Sequence, residues 1–222
     1  LLVAGISRHV IDLNRAKSDV DGASVLGAVG TPNPRGLIWR TSTDGESILG
    51  RRLTPAELER RVEEFYEPYH GKLKEILQRK VNRFGYAVLL CAHSMPSSGF
   101  RGSVNVGLGR ADLVPGSRGR TTAHGELLDR IDDLSEAFGF TVAHDDPYKG
   151  GYSTATYGCP SQGVHAVQLE IARRVYMDEE ELTVNQGFAD IERFAGRLCL
   201  EFARPLRLDS TSLSVDSSYR GE

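Results

Sequence analysis

The chain has 222 residues, of which 40% are hydrophobic and 26% are charged, a composition typical of a globular domain rather than a disordered chain. The formal net charge of -3 provides no basic surface for nucleic acid, and no run approaches the roughly 20 apolar residues of a membrane-spanning helix. We therefore expect neither nucleic-acid nor membrane partners. The three cysteines have no metal-ligand spacing, so we expect free thiols in a cytoplasmic protein.

The N-terminal 50 residues combine short apolar segments with loops. Residues 1–6 and 37–39 predict strands, and residues 16–50 are rich in Gly, Ser, Asp and Pro, which is typical of functional loops. In the segment 7–15, Asn14 and Arg15 place an amide beside a guanidinium fork, which suits bidentate capture of a carboxylate. Solvated arginines on a surface loop would show the same spacing.

A long helix is predicted between residues 54 and 85. Thr54 provides a cap, Pro55 occupies the first helical position and Glu57 completes a capping box. Apolar residues then recur at helical spacing as far as Gly85, with a kink expected at Pro68. His70 on this helix is interpreted as a packed, hydrogen-bonded residue rather than a ligand.

The apolar run 86–92 predicts a buried strand that stops at His93-Ser94-Met95-Pro96-Ser97. The carboxyl end of a buried strand is where open α/β sheets bind their ligands, which makes His93 a candidate site residue. The alternative is a strand-end histidine that bonds to a backbone carbonyl.

The next segments predict further alternation of strands and helices. Strands are expected at 104–114 and 140–143, helices at 127–138 and 185–202, a turn at 115–122, and frayed residues from Asp209 onward. The turn lacks the Gly-Lys-Ser/Thr of a phosphate loop. A metal site at His144-Asp145-Asp146 is disfavoured, because adjacent residues of an extended segment face opposite sides. The turn 149–152, Lys-Gly-Gly-Tyr, is typical of a mobile loop that covers a site.

The strand predicted at 163–171 carries a carboxylate among apolar residues. By alternation Gln168 and Glu170 share one face, whereas His165 lies on the opposite, core-facing side. A carboxylate there is unfavourable unless it is paired, near a metal or used in catalysis, so Glu170 is a candidate general base. A structural salt bridge to Arg173 or Arg174 is the alternative. The alternation of strands and helices predicts one α/β domain over residues 1–222, with a mixed, mostly parallel sheet flanked by helices.

Five ordered motifs together resemble the N-formylglutamate amidohydrolase family. The motifs are Ser7-Arg8-His9-Val10-Ile11-Asp12-Leu13-Asn14-Arg15, Tyr69-His70, Ala92-His93-Ser94-Met95-Pro96-Ser97, Tyr148-Lys149-Gly150-Gly151-Tyr152 and Gly163-Val164-His165-Ala166-Val167-Gln168-Leu169-Glu170. The resemblance spans roughly Ser7 to Met177, and an ordered set is more specific than any single motif.

The resemblance implies a zinc-carboxypeptidase-like fold and zinc-dependent hydrolysis of the amide of an N-acyl amino acid. The expected reaction converts N-formyl-L-glutamate into L-glutamate and formate, as in histidine degradation. It implies that His93 is a zinc ligand and that Glu170 is the general base, and we expect Arg8, together with the zinc, to stabilise the oxyanion. The same resemblance implies that Asn14 and Arg15 bind the substrate carboxylate, and we expect Lys149 and Tyr152 to contact the substrate.

Two departures from the family pattern leave alternatives open. The family's Pro-His-Ser/Ala-Gly metal motif is absent, so we expect an N-terminal segment with the other zinc ligands upstream of Leu1. His144-Asp145-Asp146 replaces an expected Asn-x-Pro, which leaves the substrate open. The alternatives are an amidohydrolase for another N-acyl amino acid and a non-catalytic carboxylate-binding domain that has lost its metal. The oligomeric state is not predicted.

Overall fold

The computed structural model describes residues 1–43, 45–99 and 107–207. The helices are α1 (Pro55–Arg61), α2 (Glu67–Phe84), α3 (Gly125–Phe138), α4 (Tyr152–Tyr157) and α5 (Phe188–Ala203), with a π-helical turn at Val62–Tyr66 and 3-10 turns at Pro160–Gln162 and Arg173–Val175. The strands are β1 (Ala87–Met95), β2 (Leu113–Gly116), β3 (Val164–Ala172), β4 (Met177–Asp178) and β5 (Thr183–Val184).

The central sheet has the order β1-β3-β2, with β1 parallel and β2 antiparallel to β3. The parallel pairing spans all of β1, whereas the antiparallel pairing is limited to the four residues of β2. Strands β4 and β5 form a separate two-stranded sheet. These observations confirm the predicted α/β class and the mixed sheet.

Helices cover both faces of the central sheet. On one face, α3 and α5 pack on β3 through a buried apolar cluster that includes Leu127, Leu128, Ile131, Phe194, Leu198, Val167 and Leu169. On the other face, α2 and α4 pack through Leu73, Leu77, Tyr157 and Ala87. A further cluster buries the irregular N-terminal segment against α1 and the π-helical turn, through Ile11, Val25, Leu37, Ile38, Leu53, Val62 and Tyr66.

The predicted helix over 54–85 is confirmed at both ends. Thr54 forms the complete capping box with Glu57, and Gly85 ends α2 with a positive φ of 80°. The expected kink is a π-helical turn that ends just before Pro68, where the Glu67 N–H bonds to the Val62 carbonyl. Proline has no N–H and its ring crowds the carbonyl four residues earlier, so the helical ladder is disturbed at this point.

The predictions of β1, β3, α3 and α5 are confirmed within a few residues. The strand β1 continues through His93 to Met95 instead of ending before His93, because β3 supplies backbone partners as far as Ala172. The α3 helix ends at Gly139, whose φ is 74°.

Four strand predictions are wrong in part or entirely. Residues 1–6 form no strand, and the segments 37–39 and 140–143 contribute only the isolated bridges Arg35↔Trp39 and Leu113↔Val142. The apolar side chains of these segments pack in the buried clusters. Residues 140–143 hydrogen-bond to β2 only at Leu113, which is too short a contact for a ladder. The strand predicted over 104–114 begins only at Leu113 and includes Pro115, which an edge strand tolerates. Residues 104–106, and the frayed end predicted from Asp209, lie outside the described residues.

Within residues 1–43, 45–99 and 107–207, no helix combines the length and apolar character needed to cross a membrane. Cys91, Cys159 and Cys199 are free thiols, as the sequence predicts.

Candidate active site

His93 and Glu170 lie side by side on two parallel strands, because their Cα atoms are register partners on β1 and β3. Two residues earlier, Cys91 and Gln168 are partners in the same way. Side chains two residues apart on a strand point to the same face, so all four share the face covered by α2 and α4. The structure therefore brings together the two residues that the sequence singles out most strongly.

His165 lies on the opposite face and is buried, as the sequence predicts. Its Nδ1 accepts a hydrogen bond from the backbone N–H of His124 at 3.2 Å, which is where α3 begins. Burial lowers the pKa of His165 to about 4, so the ring is neutral. This histidine is part of the fold and does not reach the face with Glu170.

Glu170 is 7% exposed, and its Oε1 atom accepts a hydrogen bond from Gln168 Nε2 at 2.9 Å. Burial raises the pKa of Glu170, while the Gln168 bond and the positive charges of Arg8, Arg110 and Arg173 act in the opposite direction. The alternative salt bridge is not formed, because Glu170 has no ion-pair partner among the described residues and Arg174 pairs with Asp112. A buried carboxylate with a raised pKa can accept and return a proton.

Gln168 also links Glu170 to the N-terminal segment. Its Oε1 accepts hydrogen bonds from Asn14 Nδ2 at 3.1 Å and from the Gly151 backbone N–H at 2.9 Å. The Asn14 Oδ1 in turn accepts from the Ser153 N–H at 2.9 Å. A Cβ atom on Gly151 would lie 2.3 Å from Asn14 Nδ2, so only glycine fits there. Asn14 therefore joins β3 to the turn that carries Lys149 and Tyr152.

Asp12 is a site residue that the sequence motifs do not single out. It is buried, its Oδ1 accepts the Asn14 backbone N–H at 2.9 Å, and its Oδ2 accepts the Trp39 Nε1–H at 3.0 Å. The same Oδ2 lies 3.8 Å from Arg8 Nε, and the Arg8 guanidinium lies 5.1 Å from the Trp39 ring centroid. Asp12 thus orients both Arg8 and Asn14. The available signal was the Asp-x-Asn spacing of an Asx turn.

Arg15 uses part of its guanidinium fork within the protein. Its Nε donates to the Arg35 carbonyl at 3.0 Å and its Nη1 donates to the Asn14 carbonyl at 3.1 Å, while Asp19 lies 3.9 Å from Nε. The Arg15 side chain is about one third exposed. The carboxylate clamp of Asn14 and Arg15 therefore stays a prediction, in which Arg15 provides the freer donor.

Lys149 and Tyr152 flank the glycine that Gln168 holds, but their side chains differ in environment. Lys149 is exposed, whereas Tyr152 is partly buried against His70, with ring centroids 5.5 Å apart, and against Tyr66, at 6.3 Å. The turn is thus fixed at Gly151. Substrate contacts by Lys149 and Tyr152 stay predictions.

His93 borders a cleft of about 1150 Å³ that runs along β1. The polar end of the cleft is lined by Arg8, Asp12, Asn14 and Ser153, and its apolar side by Leu73, Leu77 and Phe202. Burial, together with the charge of Arg8, lowers the pKa of His93 and favours the neutral imidazole that binds metals. Neither ring nitrogen of His93 has a hydrogen-bond partner in the described part of the chain.

The donor set for a metal is incomplete in residues 1–43, 45–99 and 107–207, which contain no group of three His, Cys, Asp or Glu that could hold an ion. His93 fits as one ligand. The His144-Asp145-Asp146 segment is occupied otherwise: His144 pairs with Asp132 at 2.7 Å, and the Asp145 carboxylate accepts the N–H groups of residues 117–119. The departure from the family pattern thus has a structural role in this chain.

Arg110 is a second residue that the sequence did not single out. Its Nη1 donates to the Pro96 carbonyl at 2.9 Å and its guanidinium lies 5.2 Å from the Tyr148 ring centroid. Tyr148 packs on Met95, Val114 and Ala172, which surround the His93 and Glu170 pair. Arg110 has no carboxylate partner among the described residues, and its charge favours the ionised form of Glu170. No motif marks it, because it lies 60 residues from Glu170 in sequence.

Comparison with known proteins gives a consistent set of relatives. The sequence profile of the N-formylglutamate amidohydrolase family matches residues 1–177. The N-formylglutamate deformylases of Pseudomonas putida and Pseudomonas aeruginosa are each 35% identical to this chain, over 187 and 185 residues. These matches cover 82% and 81% of this chain and 65% of each relative, so the chain spans slightly less than two thirds of their length.

Two crystal structures resemble the fold. The N-formylglutamate amidohydrolase from Ralstonia eutropha JMP134 is 37% identical, with a TM-score of 0.78 over 88% of this chain and 72% of that one. A gene product from Agrobacterium tumefaciens, 20% identical with a TM-score of 0.59, covers 90% of this chain and 70% of its own and supports the fold alone.

Proposed function

The chain belongs to the N-formylglutamate amidohydrolase family, and from this premise we propose that it hydrolyses N-formyl-L-glutamate to L-glutamate and formate. The observation that supports the proposal most strongly is that His93 and the buried Glu170 are register partners on β1 and β3. The pKa of Glu170 is raised, and Gln168 orients its carboxylate. Such a carboxylate suits a reaction that needs one group to accept a proton and then return it.

In the proposed reaction Glu170 acts as general base and then as general acid. Its Oε2, which has no hydrogen bond among the described residues, takes a proton from water as the water oxygen bonds to the formyl carbon. The bond from the formyl carbon to nitrogen then breaks, and Glu170 returns the proton to the departing amine. Gln168 holds Oε1 throughout, so the free oxygen keeps a fixed direction.

Two cationic groups of the N-terminal segment bind negative charges of the substrate in this proposal. Arg8, oriented by Asp12 and Trp39, stabilises the negative charge that develops on the formyl oxygen. Arg15, with Asn14, binds a substrate carboxylate and fixes the amide relative to Glu170. Lys149 and Tyr152 contact the substrate from the turn that Gly151 anchors.

We further propose a zinc ion as the cofactor, with His93 as one ligand and the remaining ligands outside the described residues. When bound, zinc lowers the pKa of a coordinated water and polarises a carbonyl group. The chemistry of His93 supports this assignment, because the neutral ring has one unprotonated nitrogen that can bind a metal. Zinc content, measured by elemental analysis of the purified protein, should fall in His93→Gln relative to the wild type. An unchanged zinc content in this variant would remove His93 from the ligand set.

The proposed function is tested by incubating the protein with N-formyl-L-glutamate and quantifying formate and L-glutamate. We expect equimolar products, and kcat/KM at least about tenfold lower for N-acetyl-L-glutamate, because the site must then accept an extra methyl group. A preference for N-acetyl or N-succinyl substrates would instead identify an amidohydrolase for another N-acyl amino acid. Binding of L-glutamate without any turnover would identify a non-catalytic carboxylate-binding domain.

A further inference from the structure

Three side chains of the helical segment 55–84 donate hydrogen bonds to backbone carbonyls of the irregular segment 7–15. Arg61 Nη1 donates to the Val10 carbonyl at 2.6 Å, and Tyr66 Oη donates to the Arg15 carbonyl at 2.9 Å. His70 Nε2 lies 3.0 Å from the Leu13 carbonyl. The segment 7–15 contains neither helix nor strand, so these bonds replace the ladder that would otherwise fix its backbone.

The hydrogen bonds of His70 determine its protonation state. A carbonyl oxygen can only accept, so Nε2 carries the hydrogen that points to Leu13. Nδ1 then accepts from the Tyr157 hydroxyl at 2.7 Å. Burial lowers the pKa of His70, which is consistent with this neutral form. His70 therefore ties α2, α4 and the N-terminal segment together at one buried point.

The π-helical turn Val62–Tyr66 sets the direction of two of these donors. Tyr66 is its last residue and His70 follows one helical turn later, with the two rings 4.2 Å apart. A π-helical turn shifts the residues that follow it around the helix axis by roughly the 100° of one residue. Tyr66 and His70 share one helix face because they are four residues apart. The π-helical turn rotates this face relative to α1, and both side chains contact carbonyls of residues 13–15.

We propose that Tyr66 and His70 are positioning residues that fix the backbone at Leu13-Asn14-Arg15 and thereby aim the side chains of Asn14 and Arg15 at the substrate carboxylate. This inference rests on the proposed function for its effect on substrate, but the anchoring itself does not depend on it. Tyr66 donates to the backbone carbonyl of Arg15 itself, so its hydrogen bond fixes the backbone from which the Arg15 side chain extends.

The test compares Tyr66→Phe with the matched control Tyr86→Phe. Both changes remove a hydroxyl that donates to a backbone carbonyl, but Tyr86 bonds to Arg204 at 3.1 Å, away from residues 13–15. Two readouts are recorded, namely hydrogen–deuterium exchange of peptides that cover residues 12–16 and 151–154, and steady-state kinetics with N-formyl-L-glutamate.

In Tyr66→Phe we expect faster exchange in both peptides, because the Tyr152 and Ser153 N–H groups bond to Asn14. We also expect KM to rise about tenfold with kcat within about threefold of wild type, as loss of one buried hydrogen bond to a binding residue predicts. Tyr86→Phe should leave both readouts unchanged. A simple loss of stability would instead raise exchange throughout the chain and leave KM alone.

His70→Leu provides the second variant, and we expect it to raise exchange at residues 12–16 at least as much as Tyr66→Phe does. Exchange in Tyr66→Phe equal to that in Tyr86→Phe would overturn the anchoring. Faster exchange with an unchanged KM would overturn the link to substrate. If the wild type does not hydrolyse N-formyl-L-glutamate, the proposed function fails, whereas the exchange data still decide whether Tyr66 and His70 hold the segment.

Discussion

Gln168 Nε2 donates a hydrogen bond to Glu170 Oε1 at a distance of 2.9 Å, and both residues are buried on the same strand. The two residues share a face because they are two positions apart on β3. The other end of the Gln168 amide accepts from Asn14 and Gly151. One side chain therefore connects the candidate general base, the candidate carboxylate clamp and the turn before α4.

Replacing Gln168 by methionine should lower both stability and turnover. Methionine is similar in size but leaves Asn14 Nδ2 and the Gly151 N–H without their acceptor. We expect the free energy of unfolding to fall by about 1–3 kcal/mol, the range for unsatisfied buried polar groups, and kcat to fall about tenfold as Glu170 loses its orientation. Urea denaturation and steady-state kinetics measure the two effects. The exposed Gln162→Met is the control, and equal behaviour of the two variants would contradict this account.

Substitutions at Arg8 and Arg110 distinguish stabilisation of the oxyanion from a general electrostatic effect on Glu170. Both charges favour the ionised form of Glu170, but only Arg8 lines the cleft at His93. We expect Arg8→Gln to lower kcat by roughly two orders of magnitude, as for the loss of an oxyanion donor. Arg110→Gln should keep kcat within about fivefold, since Arg110 does not line the cleft and its effect on Glu170 is a distance-dependent Coulomb interaction. Similar losses in both variants would refute the role given to Arg8.

His165 should make the fold sensitive to mild acid. Its pKa is about 4 in the folded chain, against about 6.5 for an unfolded histidine. Between these pH values the unfolded chain binds a proton that the folded chain does not. The contribution of neutral His165 to the free energy of unfolding is therefore complete above pH 6.5 and is lost as the pH falls toward 4. The loss amounts to at most about 3 kcal/mol.

Urea denaturation between pH 7 and pH 4 measures this contribution as the difference between wild type and His165→Asn. We expect a flatter pH dependence for the variant, while His9→Asn, at an exposed position, should follow the wild type. Parallel curves for wild type and His165→Asn would exclude the buried histidine as the source of acid sensitivity.

The parts of the fold that the sequence predicts are those with a local signal. The capping box at Thr54 and Glu57, the glycines after α2 and α3, and the alternation along β3 each specify an element without reference to the rest of the chain. The apolar segments at 1–6, 37–39 and 140–143 carry no such information. Whether they become strands depends on a neighbour in space, which only the folded chain provides.

The same distinction applies to the candidate site. The sequence predicts His93 because it follows a buried apolar strand, and Glu170 because it lies among the apolar residues of another. The register of β1 and β3 brings the two together. The sequence does not predict the roles of three residues. Asp12 and Arg110 contact aromatic rings that are distant in sequence, and Tyr66 acts through a backbone carbonyl. Hydrogen bonds to backbone atoms leave little trace in residue type, so the roles of Arg110 and Tyr66 are visible only in the folded chain.

Glu170→Gln tests the central claim most directly. Glutamine keeps the size and hydrogen-bonding capacity of the side chain but cannot accept the proton from water. With N-formyl-L-glutamate as substrate, we expect kcat to fall by roughly two orders of magnitude or more. Zinc content and thermal stability should stay close to wild type, and the exposed Glu180→Gln should remain fully active. Near wild-type turnover of N-formyl-L-glutamate by Glu170→Gln would contradict the assignment of Glu170 as the general base.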